Sequence, residues 1–446
     1  MNSHLIKKYK VAAPRYTSYP TVPCWDTASW SRELWLDSVK RSYQESSKDG
    51  ISLYIHLPFC ESLCTYCGCN TRITKNHGVE EPYIQAVLKE WAMYCDILGV
   101  KPRIREIHLG GGTPTFFSHE NLEKLIKGIL SLADVVNDAE FSFEAHPANT
   151  TFDHLTTLYQ LGFRRLSLGI QDFDPEVQAI INRKQTVEQV EQVTTQARQL
   201  GYTSINYDLI YGLPLQRLSS VENTIKEVIK LHPNRIAYYS YAHVPWTKPG
   251  QRNFDEADLP QDNEKRALYE KGRKLLTEAG YKDIGMDHFS LKTDKLYQAS
   301  KNGTLHRNFM GYTDQYTQLS IGLGVSSISD SLYAFAQNTK QLSVYLKQVS
   351  DGGFPLMKGH VLTETDLANR REITNLMCRG YTKINKTDLQ LIKRLAILEQ
   401  DKLVEFDYNE LKVTPLGKAF LRNICMAFDQ RLLSNKQTDQ IFSKAV

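Results

Sequence analysis

Apolar residues recur between residues 51 and 242 in six short runs, each followed by a stretch whose apolar positions fall three or four apart. The runs are ISLYIHL (51–57), IREIHL (104–109), EFSFEA (140–145), RRLSLGI (164–170), SINYDLIY (204–211) and RIAYYSYA (235–242). Between them lie EEPYIQAVLKEWAMYC, HENLEKLIKGILSLA, DHLTTLYQL, TVEQVEQVTTQARQL and VENTIKEVIKL. Short runs rich in β-branched and aromatic residues predict strands, and helical spacing of apolar residues predicts helices. Their alternation predicts parallel strands joined by crossover helices, here an α/β fold built as an incomplete (β/α)6 TIM-like barrel.

Alternation within the strands separates two faces. Phe141, Phe143 and Ala145 share one face of their strand, and Ser142, Glu144 and His146 the other. Ser167, Gly169 and Gln171 form a small polar face, as do Asn206 and Asp208, while Tyr54 and His56 share a face of the first strand. Several strands therefore direct polar groups toward one cavity, and barrel strands carry their reactive side chains at the C-terminal ends.

Outside the barrel, residues 1–50 contain PRYTSYP, which predicts an ordered extended segment, and this extension is expected to pack on the barrel mouth. Residues 51–340 are expected to hold the barrel and its associated strands, including a strand-like run IGMDHF. Residues 341–446 change to a Lys-rich, mostly helical character. They end in KLVEFDYNELKVTPLGKAFL, whose strands with a tight turn between helices predict a winged-helix-like domain.

Composition narrows the function. The 446 residues are 41% hydrophobic and 23% charged, an ordinary soluble balance. The 54 Lys and Arg against 50 Asp and Glu leave a net charge of +4. That is too even for a dedicated nucleic-acid binder, yet it allows a local basic pocket for an acidic small molecule. No run approaches the ~18 apolar residues of a membrane span. The start, MNSHLIKKYK, lacks the apolar stretch of a secretory signal, so a cytoplasmic location is expected. No exposed heptad or apolar stripe stands out, and a monomer is expected.

Four of the eight cysteines fall within CESLCTYCGC, at Cys60, Cys64, Cys67 and Cys69. A disulfide scaffold would spread its cysteines, so this cluster points to metal. One reading is a structural zinc site with Cys69 as its fourth ligand, but such sites usually pair two distant halves. Another is a set of inert core thiols. The third is an iron–sulfur cluster, since three thiolates on one short loop can hold three irons of a [4Fe–4S] cube and leave the fourth open. Gly110-Gly111-Gly112-Thr113-Pro114 follows the second strand, where glycines mark a turn or a close approach of backbone to ligand.

The Cys-x-x-x-Cys-x-x-Cys spacing followed by this glycine run resembles the radical S-adenosylmethionine superfamily. Within it, PRYTSYPT, YIHLPFCESLCTYCGCN, HLGGGTPT, GIQDF, INRKQ, DLIYGLP, YAHVP, IGMDHF, LHRNF, GLGVSSIS and RNICMAFD resemble the oxygen-independent coproporphyrinogen III oxidases. These blocks span Pro14 to Asp429. PRYTSYPT and Cys69 discriminate most sharply from haem chaperones, which share the cluster loop.

The resemblance implies oxidative decarboxylation of two propionates of coproporphyrinogen III to vinyl groups in haem biosynthesis, giving protoporphyrinogen IX. It implies a 5′-deoxyadenosyl radical generated from S-adenosylmethionine at a [4Fe–4S] cluster on Cys60, Cys64 and Cys67. It also implies two S-adenosylmethionine molecules. Tyr54, Gly111, Glu144 and Ile328 would contact the cluster-bound one, and Tyr66, Gly112, Thr113, Gln171, Arg183, Asp208 and Ala242 the second. Tyr54, Cys69 and Glu144 are expected to serve catalysis. A flavodoxin or ferredoxin is the expected electron donor, and neither nucleic acid nor membrane is expected as a partner.

Beyond these, Arg15, His306 and Arg307 are candidates for substrate carboxylates, and His288 for a structural or functional histidine. Cys24, Cys95, Cys378 and Cys425 read as buried thiols, Arg183 equally as a surface charge, and Tyr238, Tyr239 and Tyr241 as packing. The chain departs from the family's pattern at His146 and Met310, where an acidic or amide residue and a glutamine are expected. The rival readings are a radical-type haem chaperone and a zinc-stabilised nucleic-acid module.

Overall fold

The six predicted strands all form. In the computed structural model, which describes residues 3–385, 387–407, 409–434 and 442–444, they are β1 (Ile51–Leu57), β2 (Arg103–Gly111), β3 (Asp134–Ala145), β4 (Phe163–Gln171), β5 (Ser204–Tyr211) and β6 (Arg235–Ser240). Each is parallel to the next. Six further strands extend the sheet: β7 (Lys282–Gly285), β8 (His288–Ser290), β9 (Ser320–Leu323), β10 (Ile328–Asp330), β11 (Ala334–Asn338) and β12 (Leu356–Val361). The order is β12-β11-β10-β9-β1-β2-β3-β4-β5-β6-β8-β7, an open barrel whose two ends do not pair.

Crossover helices cover the outside. Ser118 caps Asn121 N–H, and Thr151 and Thr186 form capping boxes with His154 and Gln189, so orphan amides are satisfied where each helix begins. The helix His119–Ser131 buries Leu122, Leu125, Ile126 and Ile129 against the sheet. Each such side chain contributes roughly 1.5–3 kcal/mol. The core is made by the outward face of the strands, such as Leu53, Ile55, Ile107, Leu109 and Phe143, and by the helices.

The alternate residues point inward and are polar in layers. At the N-terminal ends Glu140 pairs with Arg165, Arg235 Nε donates to Asp294 at 2.7 Å, and Ser52 donates to Glu106 at 2.9 Å. One layer up, His108 Nδ1 and Ser142 Oγ are 2.7 Å apart, and Asn206 donates to Ser167 at 2.8 Å. Glu144 and Asp208 lie above these, at the open end.

Helix Glu364–Arg379, strand Tyr381–Lys383, helix Leu389–Gln400 and strands Val404–Phe406 and Glu410–Val413 form the expected winged-helix-like unit, with its own three-stranded sheet. Its core contains Leu376, Leu395, Leu411 and Ile424, joined by Tyr9, Tyr16 and Tyr19 from the N-terminal segment. Two placements differ from the sequence reading. The boundary drawn at 340 cuts the sheet, since β12 pairs with β11 along Leu356–Val361. In the first 50 residues, helix Arg32–Ser46 buries Trp35, Val39 and Tyr43 in the main core, touching β11 and β12 on the sheet's outer side. The stretch around Arg15 reaches the mouth, where Arg15 Nη2 donates to Ser240 O at 2.6 Å. Among the described residues no helix is long and apolar enough to cross a membrane.

Candidate active site

The loop after β1 carries the cysteine cluster. Cys60 ends β1's short continuation, Phe59–Cys60, which pairs with Arg72–Ile73 and so turns the loop over the barrel's open end. Cys60, Cys64, Cys67 and Cys69 all line a cavity of about 550 Å³ together with Gly111, Gly112, Thr113, Tyr66, Glu144, Gln171, Arg183 and Asp208. All four thiols are free.

A polar group approaches each of the three spaced thiols. Cys60 Sγ is 3.3 Å from Thr113 Oγ1, Arg183 Nη1 is 3.7 Å from Cys64 Sγ, and Cys69 N–H donates to Cys67 Sγ at 3.4 Å. Burial pushes the Cys60 thiol up to about 11, while a side-chain hydrogen bond from Cys69 brings Cys67 down to about 6. Cys69 opens onto the cavity while surrounded by protein. Its thiol is held well above the ordinary range, first by that hydrogen bond to Cys67 and then by desolvation. Among the described residues no three Cys, His or carboxylate groups converge on a single ion position. A polynuclear cluster takes one thiolate per iron and needs no such convergence, so this donor set fits a [4Fe–4S] group.

The glycine run has a reason internal to the protein. Gly111 adopts φ +114°, and a Cβ there would lie 2.6 Å from the His56 ring. A Cβ on Gly112 would lie 2.7 Å from the Pro58 carbonyl. The glycines let β2 pass under the cluster loop. Gly111→Ala is therefore expected to destabilise the fold by about 1–3 kcal/mol, read as a lowered midpoint in denaturant unfolding.

Two carboxylates face the cavity. Glu144 Oε2 accepts Gly111 N–H at 3.2 Å, and its Oε1 lies 3.5 Å from His108 Nε2. Its side chain is 43% exposed and lines the cavity. Burial raises its pKa, but His108 and the Gly111 amide outweigh that and leave the group lowered and ionised. Asp208 accepts from Ser167 Oγ and Asn206 Nδ2, each at 2.9 Å. Desolvation, then the nearby Glu144 charge, pushes it up to about 6. Arg183 is buried, not a surface charge: it donates to Gly169 O and, through Nε, to Gln185 at 3.0 Å. Gln171 ends β4 at φ +67°, which turns its side chain out of the sheet's alternation.

Other expected residues fall elsewhere. Tyr54 lies below the cavity floor, its OH 3.0 Å from His56 Nδ1 and its ring stacked on His108. Ala242 and Ile328 do not line the cavity. Ala242 offers its carbonyl to Gln251 at 3.2 Å, and Ile328 packs beside Trp25, Phe335 and Leu362. His146 lines the cavity, and its Nδ1 accepts Ala148 N–H at 3.1 Å. Tyr238 and Tyr241 pack in hydrophobic clusters, whereas Tyr239 lines the cavity. Cys378 and Cys425 are buried, but Cys24 and Cys95 only half-buried. Tyr239 thus departs from the packing role expected of it, and His108, Arg165 and Arg235 have no counterpart in the sequence reading, because a lone polar residue in a strand carries no local motif. Strict period-two alternation was the only signal that could have found them.

A strand-bound cysteine loop over an open (β/α) barrel, with ionisable groups on the inward face, defines a radical S-adenosylmethionine protein. The Radical SAM superfamily model matches residues 54–228. The chain is 38% identical over 453 aligned residues to the oxygen-independent coproporphyrinogen III oxidase of Escherichia coli (strain K12), covering 99% of this chain and 98% of the relative. It is 36% identical to the oxidase of the same name from Synechocystis sp., covering 100% and 98%. The solved structure of the Escherichia coli coproporphyrinogen III oxidase, described as a radical SAM enzyme, superposes with a TM-score of 0.89 at 36% identity, covering 96% of this chain and 98% of that one. The chain belongs to the family of oxygen-independent coproporphyrinogen III oxidases.

Proposed function

We propose that this chain carries out the reaction its family is named for, the oxygen-independent conversion of coproporphyrinogen III to protoporphyrinogen IX in haem biosynthesis. Each of two propionates loses a β-hydrogen, one electron and CO2, leaving a vinyl group. The observation that carries this reading is one cavity holding Cys60, Cys64, Cys67, Glu144 and Asp208 in a chain matched end to end by these oxidases. The same relatives favour an oxidase over a haem chaperone or a zinc module.

Cys60, Cys64 and Cys67 would hold the [4Fe–4S] cluster, which with S-adenosylmethionine supplies the one-electron chemistry that an unactivated C–H demands. The protein's own side chains bind and orient. Glu144, kept ionised by His108 and the Gly111 amide, accepts hydrogen bonds from an amine or ribose hydroxyl. Arg183, Gln171, Thr113 and Asp208 line the same cavity and hold a second S-adenosylmethionine. Tyr66 and Gly112 flank that second molecule and Gly111 the first, whereas Ala242 and Ile328, outside the cavity lining, take no part. Cys69 shares the cavity wall with Glu144 and keeps water from the reacting carbon, while Tyr54, beneath the floor beside Gly110, supports Glu144 from below. The enzyme works as a cytoplasmic monomer and draws electrons from a small carrier such as flavodoxin or ferredoxin.

Anaerobic reconstitution followed by product analysis tests the function. About four irons per chain and protoporphyrinogen IX from coproporphyrinogen III are expected; iron-loaded protein that cleaves S-adenosylmethionine but never yields the vinyl product would refute it. Cys69→Ser tests the cluster assignment. It should retain iron and spectrum yet lose most oxidase activity, since Cys69 shares the cavity but a fourth thiolate would close the open iron. Loss of metal in this variant would restore the four-ligand zinc reading.

Asp208 sets a pH dependence. A carboxyl held at about 6, above its ordinary 3.8, loses its charge as pH falls through 6. Ionising it costs the ligand-free fold stability as pH rises between those values, and donors from a ligand offset that cost. S-adenosylmethionine affinity should therefore weaken below pH 6, and Asp208→Asn should flatten the profile. An unchanged profile in that variant would exclude Asp208 from the site.

A further inference from the structure

Asp287, in the turn between β7 and β8, is ringed by cations. Its Oδ2 is 3.7 Å from Arg15 Nη1, and Arg307, Arg422 and Lys265 also act on its charge. Beside it a cavity of about 70 Å³ is lined by the cations Arg15, Lys265, Arg266, Lys418 and Arg422 and by the carboxylates Asp262 and Asp287. Of the other acids nearby, Asp262 pairs with Lys10 and Glu270 with Arg266.

The remaining cations are held by neutral groups. Lys265 Nζ donates to Tyr241 O at 2.6 Å, and Arg422 donates to the carbonyls of Pro14 and Lys444, each at 3.0 Å. Carbonyls orient a cation without neutralising it. Among the described residues Lys265, Arg307 and Arg422 form no ion pair. Arg307 is 9% exposed, and its Nε and Nη1 have no hydrogen-bond partner. Burial first, then Arg15 and Arg422, brings Lys265 down to about 8. Arg307 and Arg422 are buried and Arg15 and Lys265 half-buried, and cations gathered there in excess are costly unless an anion joins them.

The anion's source is indicated by position and size. The Arg15 guanidinium lies 6.0 Å from the ring of Tyr239, and Tyr239 lines the main cavity. The small volume admits a carboxylate on a short chain but not a tetrapyrrole ring. Arg15 belongs to the N-terminal segment, Lys265 to the barrel's helix Asp262–Glu278 and Arg422 to the C-terminal unit. We propose that this pocket binds a carboxylate of the tetrapyrrole, a propionate that does not react; the assignment rests on the function proposed above. One bound carboxylate would thereby fasten all three parts of the chain over the substrate.

The test uses the iron-loaded full chain and the variants Lys265→Gln, Arg15→Gln and Lys265→Arg, at residues that line the pocket. In Lys265→Gln and Arg15→Gln, KM for coproporphyrinogen III should rise about tenfold with kcat little changed. Affinity for coproporphyrin, a stable tetrapyrrole carrying the same propionates, should fall by a similar factor. Iron content and S-adenosylmethionine affinity should stay at wild-type values, and Lys265→Arg should recover the KM. Unchanged KM and coproporphyrin affinity in both Gln variants would overturn the proposal. So would stabilisation of the wild type by citrate or inorganic phosphate that Lys265→Gln abolishes while coproporphyrin affinity is unaffected, since the pocket would then serve a free anion. If the wild type forms no protoporphyrinogen IX, the functional reading fails, and coproporphyrin binding across the same variants still decides this one.

Discussion

Serine at Cys60, Cys64 or Cys67 should each abolish bound iron and bring turnover below detection. The three thiols line one cavity, Cys64 and Cys67 each accept an N–H, and Cys60 has the Thr113 hydroxyl beside it. A serine hydroxyl is a far poorer iron ligand, and loss of even an outer-shell partner of a metal ligand costs about 10–100-fold. Cys425→Ser is the control: Cys425 is buried among apolar residues of the C-terminal unit and should leave iron unchanged. Iron analysis, visible absorbance and product assay on the four variants separate the outcomes. A cluster-loop variant keeping about four irons and full turnover would sink the ligand assignment.

Glu144→Gln should weaken S-adenosylmethionine binding by about tenfold or more, and lower turnover further. The shape is retained, but one oxygen becomes an NH2 group. The Gly111 amide can only donate, so the new NH2 must turn toward His108 Nε2, which accepts it only in the other tautomer, or toward the ligand. The pH step belongs to Asp208, so it should persist in Glu144→Gln but move to lower pH, because the Glu144 charge that helps to raise Asp208 is gone. Equilibrium binding on the iron-loaded enzyme checks this; wild-type affinity in Glu144→Gln would remove it from the site.

Local chemistry made much of the site readable. The spacing of Cys60, Cys64 and Cys67 is a short-range relation along one loop, so no knowledge of the fold was needed to see it. Glu144 and Asp208 were found by parity along a strand, which the backbone's two-residue repeat imposes wherever a strand forms. Arg183 was ambiguous, because nothing in INRKQ tells that the chain turns it inward to Gly169. Ala242 and Ile328 rested on resemblance alone, and they stand outside the cavity lining.

The six strands, their inward faces and the cysteine loop were thus determined by the sequence itself, since alternation, helix caps and ligand spacing act over a few residues. What the tertiary structure decided were relations between distant segments. The sheet's extension through β12, the seat of helix Arg32–Ser46 outside the barrel, and the salt-bridged floor of Glu140, Arg165, Arg235 and Asp294 each depend on which surfaces bury one another. So does the gathering of Arg15, Lys265, Arg307 and Arg422 around Asp287, residues as far apart in the chain as its two ends. Burial and charge pairing are set by three-dimensional neighbours, and no periodicity along the chain encodes them.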